Sequence, residues 1–336
     1  MLSGAPEAAR WLHASPRHAA LAPLAERAAR AALPSARIFH LEPLTDGLRN
    51  ANFKVVRDHP CEPLVVRIYE HDPSLCRKEL DLFTLVASSV PVPEVIHAEP
   101  EGWEGIPPFM VTRFIEGPSF RELKRRGDAA AIAQAARSAG ETLAAIGRFQ
   151  FARPGWIAPG LTVTGPLLEG ANAMPRFVDL CLESPRANVR IPADLRARIH
   201  RLVWEFAGEL AALEGESSLA HGDFGKRNLL VRRVDDRWAV AAVLDWEFAV
   251  AGTPLTDLGH FLRYERDARP LLEPHFSAGY RSADATLPPD WRRFSRIVDL
   301  AALCESLTHE ALPDEVIAEL VELIAATAEN RDPNLA

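Results

Sequence analysis

The chain passes from a mostly strand-like to a mostly helical texture between Ile115 and Ser119, and that change constrains the fold more than any other feature. Before it the pattern is short and strand-like. In "ANFKVVRD" Phe53 and Val55 share one face, and "PLVVRIYE" is a β-rich run entered through Pro63. Pro, Asp and His make "RDHPCEP" a turn between them. "DPSLCRKELDLFTLVASS" has helical spacing, with Asp72 or Ser74 as cap and Leu75, Leu82, Leu85 and Val86 recurring. "PVPEVIHAE" and "PFMVTRFIE" are two further strands.

After the change the chain is helical. "AAAIAQAARSAGETLAAIGRF" is Ala-rich, and Ala costs least in a helix. "ADLRARIHRLVWEFAGELAAL" reads as one helix, and the last third contains four more. In "PDEVIAELVELIAATAEN" Val316, Ile317, Leu320, Leu323 and Ile324 mark the core side. Between the first two long helices, residues 153–192 mix loops with a short helix. The expectation is an α+β chain of two lobes. Residues 1–36 form a helical extension, 37–116 a small β-rich lobe, and 117–336 a larger helical lobe.

Composition narrows the class. At 336 residues, two lobes or domains are the prior, and 48% hydrophobic with 25% charged residues is globular. A net charge of −8 argues against a nucleic-acid partner and leaves a cationic small substrate compatible. No apolar run is long enough to span a bilayer, and the N-terminus lacks an apolar signal core. Cys61, Cys76, Cys181 and Cys304 are scattered, without a C-x-x-C pair, so a reducing cytoplasm is the expected location. No feature specifies an oligomeric state.

Chemistry concentrates in residues 219–257. "NLLVRRVDDRWAVAAVLD" reads as two strands around a turn at Asp235-Asp236. An antiparallel hairpin brings Asn228, at the start of one strand, beside Asp245, after the other. The loop "HGDFGKR" enters the same end and carries Asp223. Two carboxylates and an amide oxygen are hard ligands that suit Mg²⁺ with bound phosphates. One carboxylate is then spared to orient a hydroxyl nucleophile, which is the arrangement phosphoryl transfer needs.

The elements "HGDFGKRN", "LDWE" and "GTPLTDL" match in order and spacing the H-G-D-x-x-x-x-N, h-D-W-E and G-x-P-x-x-D-L motifs of a known group. The chain thus resembles the aminoglycoside phosphotransferase and choline kinase-type family, relatives of the protein-kinase fold. The resemblance implies a small-molecule kinase with ATP or GTP and Mg²⁺ held between the lobes. By the same resemblance Asp223 is the base, Asn228 and Asp245 are the metal ligands, and His221 is a structural histidine of the loop. Asp257 is a buried helix carboxylate bonded to the loop backbone; a first-turn carboxylate favoured by the helix dipole explains it equally.

The small-lobe match is looser. "TDGLRNANFKV", with Gly47, Asn50 and Asn52, resembles the loop that covers the nucleotide, and a plain hairpin turn is the alternative. Arg67 stands where protein kinases use Lys, and Glu79 on the next helix could pair with it; a solvated strand Arg and an exposed helix Glu are the alternatives. Arg113, Phe114 and Ile115 lie in the link that would face the base. Lys226 either reaches the γ-phosphate or is an exposed loop lysine. The acceptor is expected to be a small hydroxyl compound, aminoglycoside-like or an amino alcohol. Glu305, Asp314 and Glu315 are candidates to grip a cationic one. A nucleotide-binding module without activity, and nucleotidyl transfer on the same fold, are the alternatives.

Overall fold

A computed structural model describes residues 16–34, 38–44, 50–58 and 62–329. Its contacts divide into two units, one of residues 1–88, 92–116 and 158–162, the other of residues 89–91, 117–157 and 163–336. Among the described residues no helix is long and apolar enough to cross a membrane.

The first unit is built on an antiparallel sheet of β1 (Ile38–Leu44), β2 (Ala51–Arg57), β3 (Leu64–Ile68), β4 (Val95–Glu99) and β5 (Phe109–Arg113), in the order β1-β2-β3-β5-β4. Period-two spacing does the work. Ala51, Phe53 and Val55 of β2 and Leu64, Val66 and Ile68 of β3 are buried while their neighbours are half-exposed. Helix α1 (Pro16–Ala32) covers that apolar face with Leu21, Ala25, Ala28 and Ala29.

Helix α2 (Ser74–Val86) starts where Asp72 accepts the Ser74 N–H at 3.0 Å and its hydroxyl at 2.6 Å. Its buried stripe is Cys76, Glu79, Leu82, Phe83 and Val86; Leu75 and Leu85 are only half-buried, so the core face is rotated from the one the leucines alone indicate. The reason is that α2 packs on β4 and β5, and Glu79 is drawn inward by polar partners described below.

The second unit is mainly helical: α3 (Phe120–Arg126), α4 (Ala129–Ile146), α5 (Ala173–Glu183), α6 (Pro185–Arg190), α7 (Ala193–Glu205), α8 (Ala207–Glu214), α9 (Leu255–Leu262), α10 (Glu273–Ser282), α11 (Trp291–Ser306) and α12 (Asp314–Ala328). Ser119 and Glu122 form a capping box on α3, and Gly127 ends it in the left-handed region. Helices α4 and α10 touch backbone to backbone. A Cβ on Gly140 would lie 2.0 Å from the Phe276 carbonyl oxygen, and one on Gly279 would lie 1.9 Å from that of Arg137.

Two expectations for this unit change. Residues 193–213 form two helices, because the chain leaves helical geometry at Phe206 (φ −104°, ψ 22°), whose ring turns edge-on to Phe294 at 5.7 Å. Residues 153–192 hold two short helices, α5 and α6, with Ser184 accepting from Ala187 N–H to start the second. Val178, Leu195, Ile199, Val203, Leu300 and Ile324 join α5, α7, α11 and α12 in one apolar core.

Short strands carry the chemistry-bearing loop. β6 (Gly155–Ala158), β7 (Thr162–Val163), β8 (Ser218–Ala220) and β11 (Val250–Gly252) form a sheet in the order β7-β6-β11-β8, and β9 (Leu229–Val234) and β10 (Arg237–Val243) form a separate hairpin.

Candidate active site

Asp235 and Asp236 join β9 to β10, and both have positive φ (45° and 64°), as a two-residue turn matched to strand twist requires. Leu229 lies opposite Val243, and Leu244 N–H donates to the Asn228 carbonyl at 2.8 Å. Asn228 and Asp245 therefore sit at the open end of one hairpin. The loop from β8 folds back to the same point. Asn228 Nδ2 donates to Asp223 twice, to the backbone oxygen at 2.9 Å and to Oδ2 at 2.8 Å. Those two bonds orient the amide and leave Asn228 Oδ1 as a free-facing acceptor atom.

Asp223 is half-buried, and its pKa is raised, first by burial and then by the nearby charge of Asp245; the Asn228 amide and the Arg263 and Arg227 cations oppose the rise. A raised carboxylate pKa makes a stronger base. Asp245 is held at φ 64°, ψ 66°, a region a non-glycine residue occupies at a cost, and such outliers gather where function fixes the backbone.

Three fixtures hold the loop. Asp257, in the first turn of α9 and fully buried, accepts the N–H groups of His221 (2.6 Å) and Gly222 (2.9 Å), and the Phe224 N–H is near enough to act on its charge. Burial pushes its pKa up to about 7 against these N–H groups. Gly222 has φ 79°, and a Cβ there would stand 2.2 Å from the Phe248 carbonyl oxygen, so only glycine fits. His221 is the third. Its Nδ1 accepts the Asp223 N–H at 3.2 Å, which assigns the ring proton to Nε2, and Nε2 lies 3.0 Å from the Leu244 carbonyl. One imidazole thus ties the backbone of Asp223 to the residue before Asp245, with Trp246 edge-on at 4.8 Å.

Burial lowers the His221 pKa to about 4, outweighing its hydrogen bonds and the Asp245 charge. The folded state then binds fewer protons than the unfolded chain between pH 6.5 and 4, so stability through this group is lost as pH falls across that window. The shift amounts to about 3 kcal/mol. In urea denaturation from pH 7 to pH 4, the stability gap between wild type and His221→Gln will narrow by about that amount. A gap independent of pH would contradict the assignment of a neutral, buried imidazole.

Other residues fall where the sequence pattern did not put them. Lys226 is half-buried and donates to the Phe261 carbonyl, with its ammonium 4.9 Å from the Phe261 ring and 5.9 Å from that of Tyr264. It is not an exposed loop lysine, because the Phe261 carbonyl and the Phe261 and Tyr264 rings take up its ammonium. Burial lowers its pKa to about 7. Arg113 has its guanidinium on Glu62 and Glu94, the latter at 2.7 Å. Glu305, Asp314 and Glu315 are exposed.

In the first unit Arg67 Nε lies 3.3 Å from Glu79 Oε2, and the Tyr69 hydroxyl donates to the same carboxylate oxygen. Asn52 lies directly opposite Arg67 across β2 and β3, and Asn50 is buried just before β2. Gly47 lies outside the described residues. Phe114 N–H donates to the Pro63 carbonyl at 3.1 Å, and Lys54 lies 4.4 Å above the Phe114 ring; Ile115 is half-buried beside it.

Two residues, His260 on α9 and Arg263 at its C-cap, escaped sequence reasoning. His260 Nε2 is 3.2 Å from Asp223 Oδ1, and Arg263 grips the buried carboxylate of Asp299 at 2.9 and 2.7 Å. The signal for His260 was available, since a residue three after Asp257 on a helix shares its face.

The chain and its fold are similar to known proteins. The model of the phosphotransferase enzyme family (APH) matches residues 40–297. The structure is similar to the GDP complex of wild-type aminoglycoside 2'-phosphotransferase-IIIa, with a TM-score of 0.68 at 16% identity over 92% of this chain and 99% of that one. It is also similar to the microcompartment-associated aminopropanol kinase, with a TM-score of 0.60 at 17% identity over 90% and 95% of the two chains. Among curated proteins, acyl-CoA dehydrogenase family member 11 of Homo sapiens is 36% identical over 75 residues, 22% of this chain; the match spans only 9% of that relative's length. The fold is the kinase-like α+β fold of the solved neighbours, and the chain belongs to the phosphotransferase enzyme family.

Proposed function

We propose that this kinase transfers the γ-phosphoryl group of ATP or GTP to a hydroxyl of an amine-bearing small molecule, with Asp223 as the base. The observation that carries the reading is the Asp223–Asn228 pair at the mouth of the β9–β10 hairpin, with Asp245 close enough to act on the Asp223 carboxylate. The acceptor oxygen attacks the γ-phosphorus as the bond to the bridging oxygen breaks. The hydroxyl proton passes to Asp223, and nucleoside diphosphate leaves.

The donor set fits Mg²⁺. Asn228 Oδ1 and the Asp245 carboxylate are hard oxygens, and Mg²⁺ characteristically takes one or two carboxylates and fills its other positions with phosphate and water. When bound, the ion would neutralise phosphate charge. In the first unit Arg67, held by Glu79, is the proposed phosphate ligand, with Asn50 and Asn52 near the phosphates. Phe114 and Ile115 are proposed for the base. The Arg113 side chain is committed to two glutamates, so its contribution is assigned to backbone only.

Amine-bearing acceptors are favoured because the two structural neighbours are named for aminoglycosides and aminopropanol, and because the chain carries a net charge of −8. A cytoplasmic location is part of the proposal; Cys76, Cys181 and Cys304 are buried free thiols. Incubation with γ-labelled ATP, Mg²⁺ and a panel of amino alcohols and aminoglycosides tests it. Label on an acceptor is the expected result. Nucleotide binding without transfer would favour a non-catalytic module, and release of pyrophosphate would favour nucleotidyl transfer.

A further inference from the structure

Each oxygen of the Asp223 carboxylate has a polar neighbour. Oδ2 accepts from Asn228, and Oδ1 lies 3.2 Å from His260 Nε2. We infer that His260 is a positioning residue for Asp223, donating Nε2–H to Oδ1 so that the carboxylate cannot turn away from the acceptor hydroxyl. The inference rests on the phosphotransfer reading above, and the experiment below separates the two.

Chemistry fixes the direction of the bond. An ionised carboxylate only accepts, so the ring nitrogen facing it carries a proton. Burial, reinforced by the Arg263 cation, lowers the His260 pKa to about 3, so the ring is a neutral donor with no charge to add. A neutral donor steadies the base without forming an ion pair that would suppress its basicity.

The scaffold is rigid around this contact. Helix α9 delivers Asp257 to the loop backbone and, one turn later, His260 to the Asp223 side chain. The same helix is locked to α11 by the Arg263–Asp299 pair, and at Gly259 a Cβ would stand 2.2 Å from the Ser295 carbonyl oxygen. The loop leaves room for the imidazole: a Cβ on Gly225 would already lie 3.1 Å from Nε2. Two donors from different elements, Asn228 from the hairpin and His260 from α9, therefore set the rotation of one carboxylate. Misplacing a reacting group by an ångström costs roughly 10²-fold in rate.

The test uses the full chain as wild type, His260→Ala, His260→Gln and Asp223→Asn, with label transfer to the best acceptor of the panel and ¹⁵N-histidine spectra of the apo protein. His260→Ala is expected to lower kcat roughly 10²-fold with the nucleotide KM within about twofold. His260→Gln, which keeps a donor at the same reach, is expected to recover at least about tenfold of that loss. A purely structural histidine would not produce that split or that rescue. In the spectra His260 is expected as the Nε2–H tautomer, with a proton resonance that moves in Asp223→Asn. That measurement stands even if His260→Ala fails to fold. Transfer abolished in Asp223→Asn but unchanged in His260→Ala, or an Nε2–H resonance indifferent to Asp223→Asn, overturns the His260 assignment alone. No transfer by wild type to any acceptor, with the resonance still coupled to Asp223, overturns the phosphotransfer reading and with it the catalytic purpose of the contact.

Discussion

Asp223→Asn will bind Mg-nucleotide almost as wild type does and turn over about 10³-fold more slowly or worse. The size follows from the loss of general-base assistance, ordinarily worth about 10²- to 10⁴-fold, together with a local misfit. Asn228 Nδ2 and His260 Nε2 approach the two oxygens of Asp223 at 2.8 and 3.2 Å, and both are donors in this arrangement. An amide can satisfy only one of them with its oxygen, so the other contact becomes donor against donor. Nucleotide affinity is spared because the proposed metal ligands are Asn228 and Asp245, which the substitution leaves in place. Calorimetric titration with Mg-nucleotide and label transfer read the two halves of the result. A variant retaining a tenth of wild-type turnover would remove Asp223 from the role of base. One that no longer binds nucleotide would draw Asp223 into the metal site.

Much of the geometry behind that variant was legible in the sequence, for identifiable reasons. A hairpin is a local object. Once Asp235-Asp236 is recognised as its turn, strand length alone dictates that Asn228 and Asp245 meet, and the Leu244 to Asn228 bond is the ladder's last rung. The buried faces of β2 and β3 followed from alternation, and the α+β class followed from the change from strand-like to helical texture. The failures concern direction and long-range partners. Spacing put Lys226 near Asp223, but its ammonium goes to Phe261, thirty-five residues on, and no local pattern encodes that carbonyl. Phe206 interrupts a helix without glycine or proline, because its packing against Phe294 outweighs propensity. Glu79 carries the core face of α2 with it, since a carboxylate satisfied by Arg67 and Tyr69 can be buried where its type alone says otherwise.

Asp257→Ala will cost the fold about 4 kcal/mol, the largest loss expected from one side chain outside the apolar core. The carboxylate is wholly inaccessible and accepts two backbone N–H groups, from His221 and Gly222, with that of Phe224 close by. Alanine leaves both donors without acceptors in a space that is closed to solvent, and each such group costs about 1–3 kcal/mol. Against a total stability of roughly 5–15 kcal/mol, that fraction shows plainly in urea or thermal denaturation. Asp257→Asn separates stability from placement. It keeps one oxygen for the backbone and turns an NH₂ group towards the remaining N–H, so its cost is about half as large. The donor it fails to satisfy lies one or two residues from Asp223. Turnover in Asp257→Asn will therefore fall at temperatures where the protein is still fully folded, because the loop that carries the base has lost one of its anchors. An Asp257→Ala protein within 1 kcal/mol of wild type would mean that those N–H groups find other partners. The left-handed backbone at Gly222, fixed against Phe248, leaves them no evident direction in which to look.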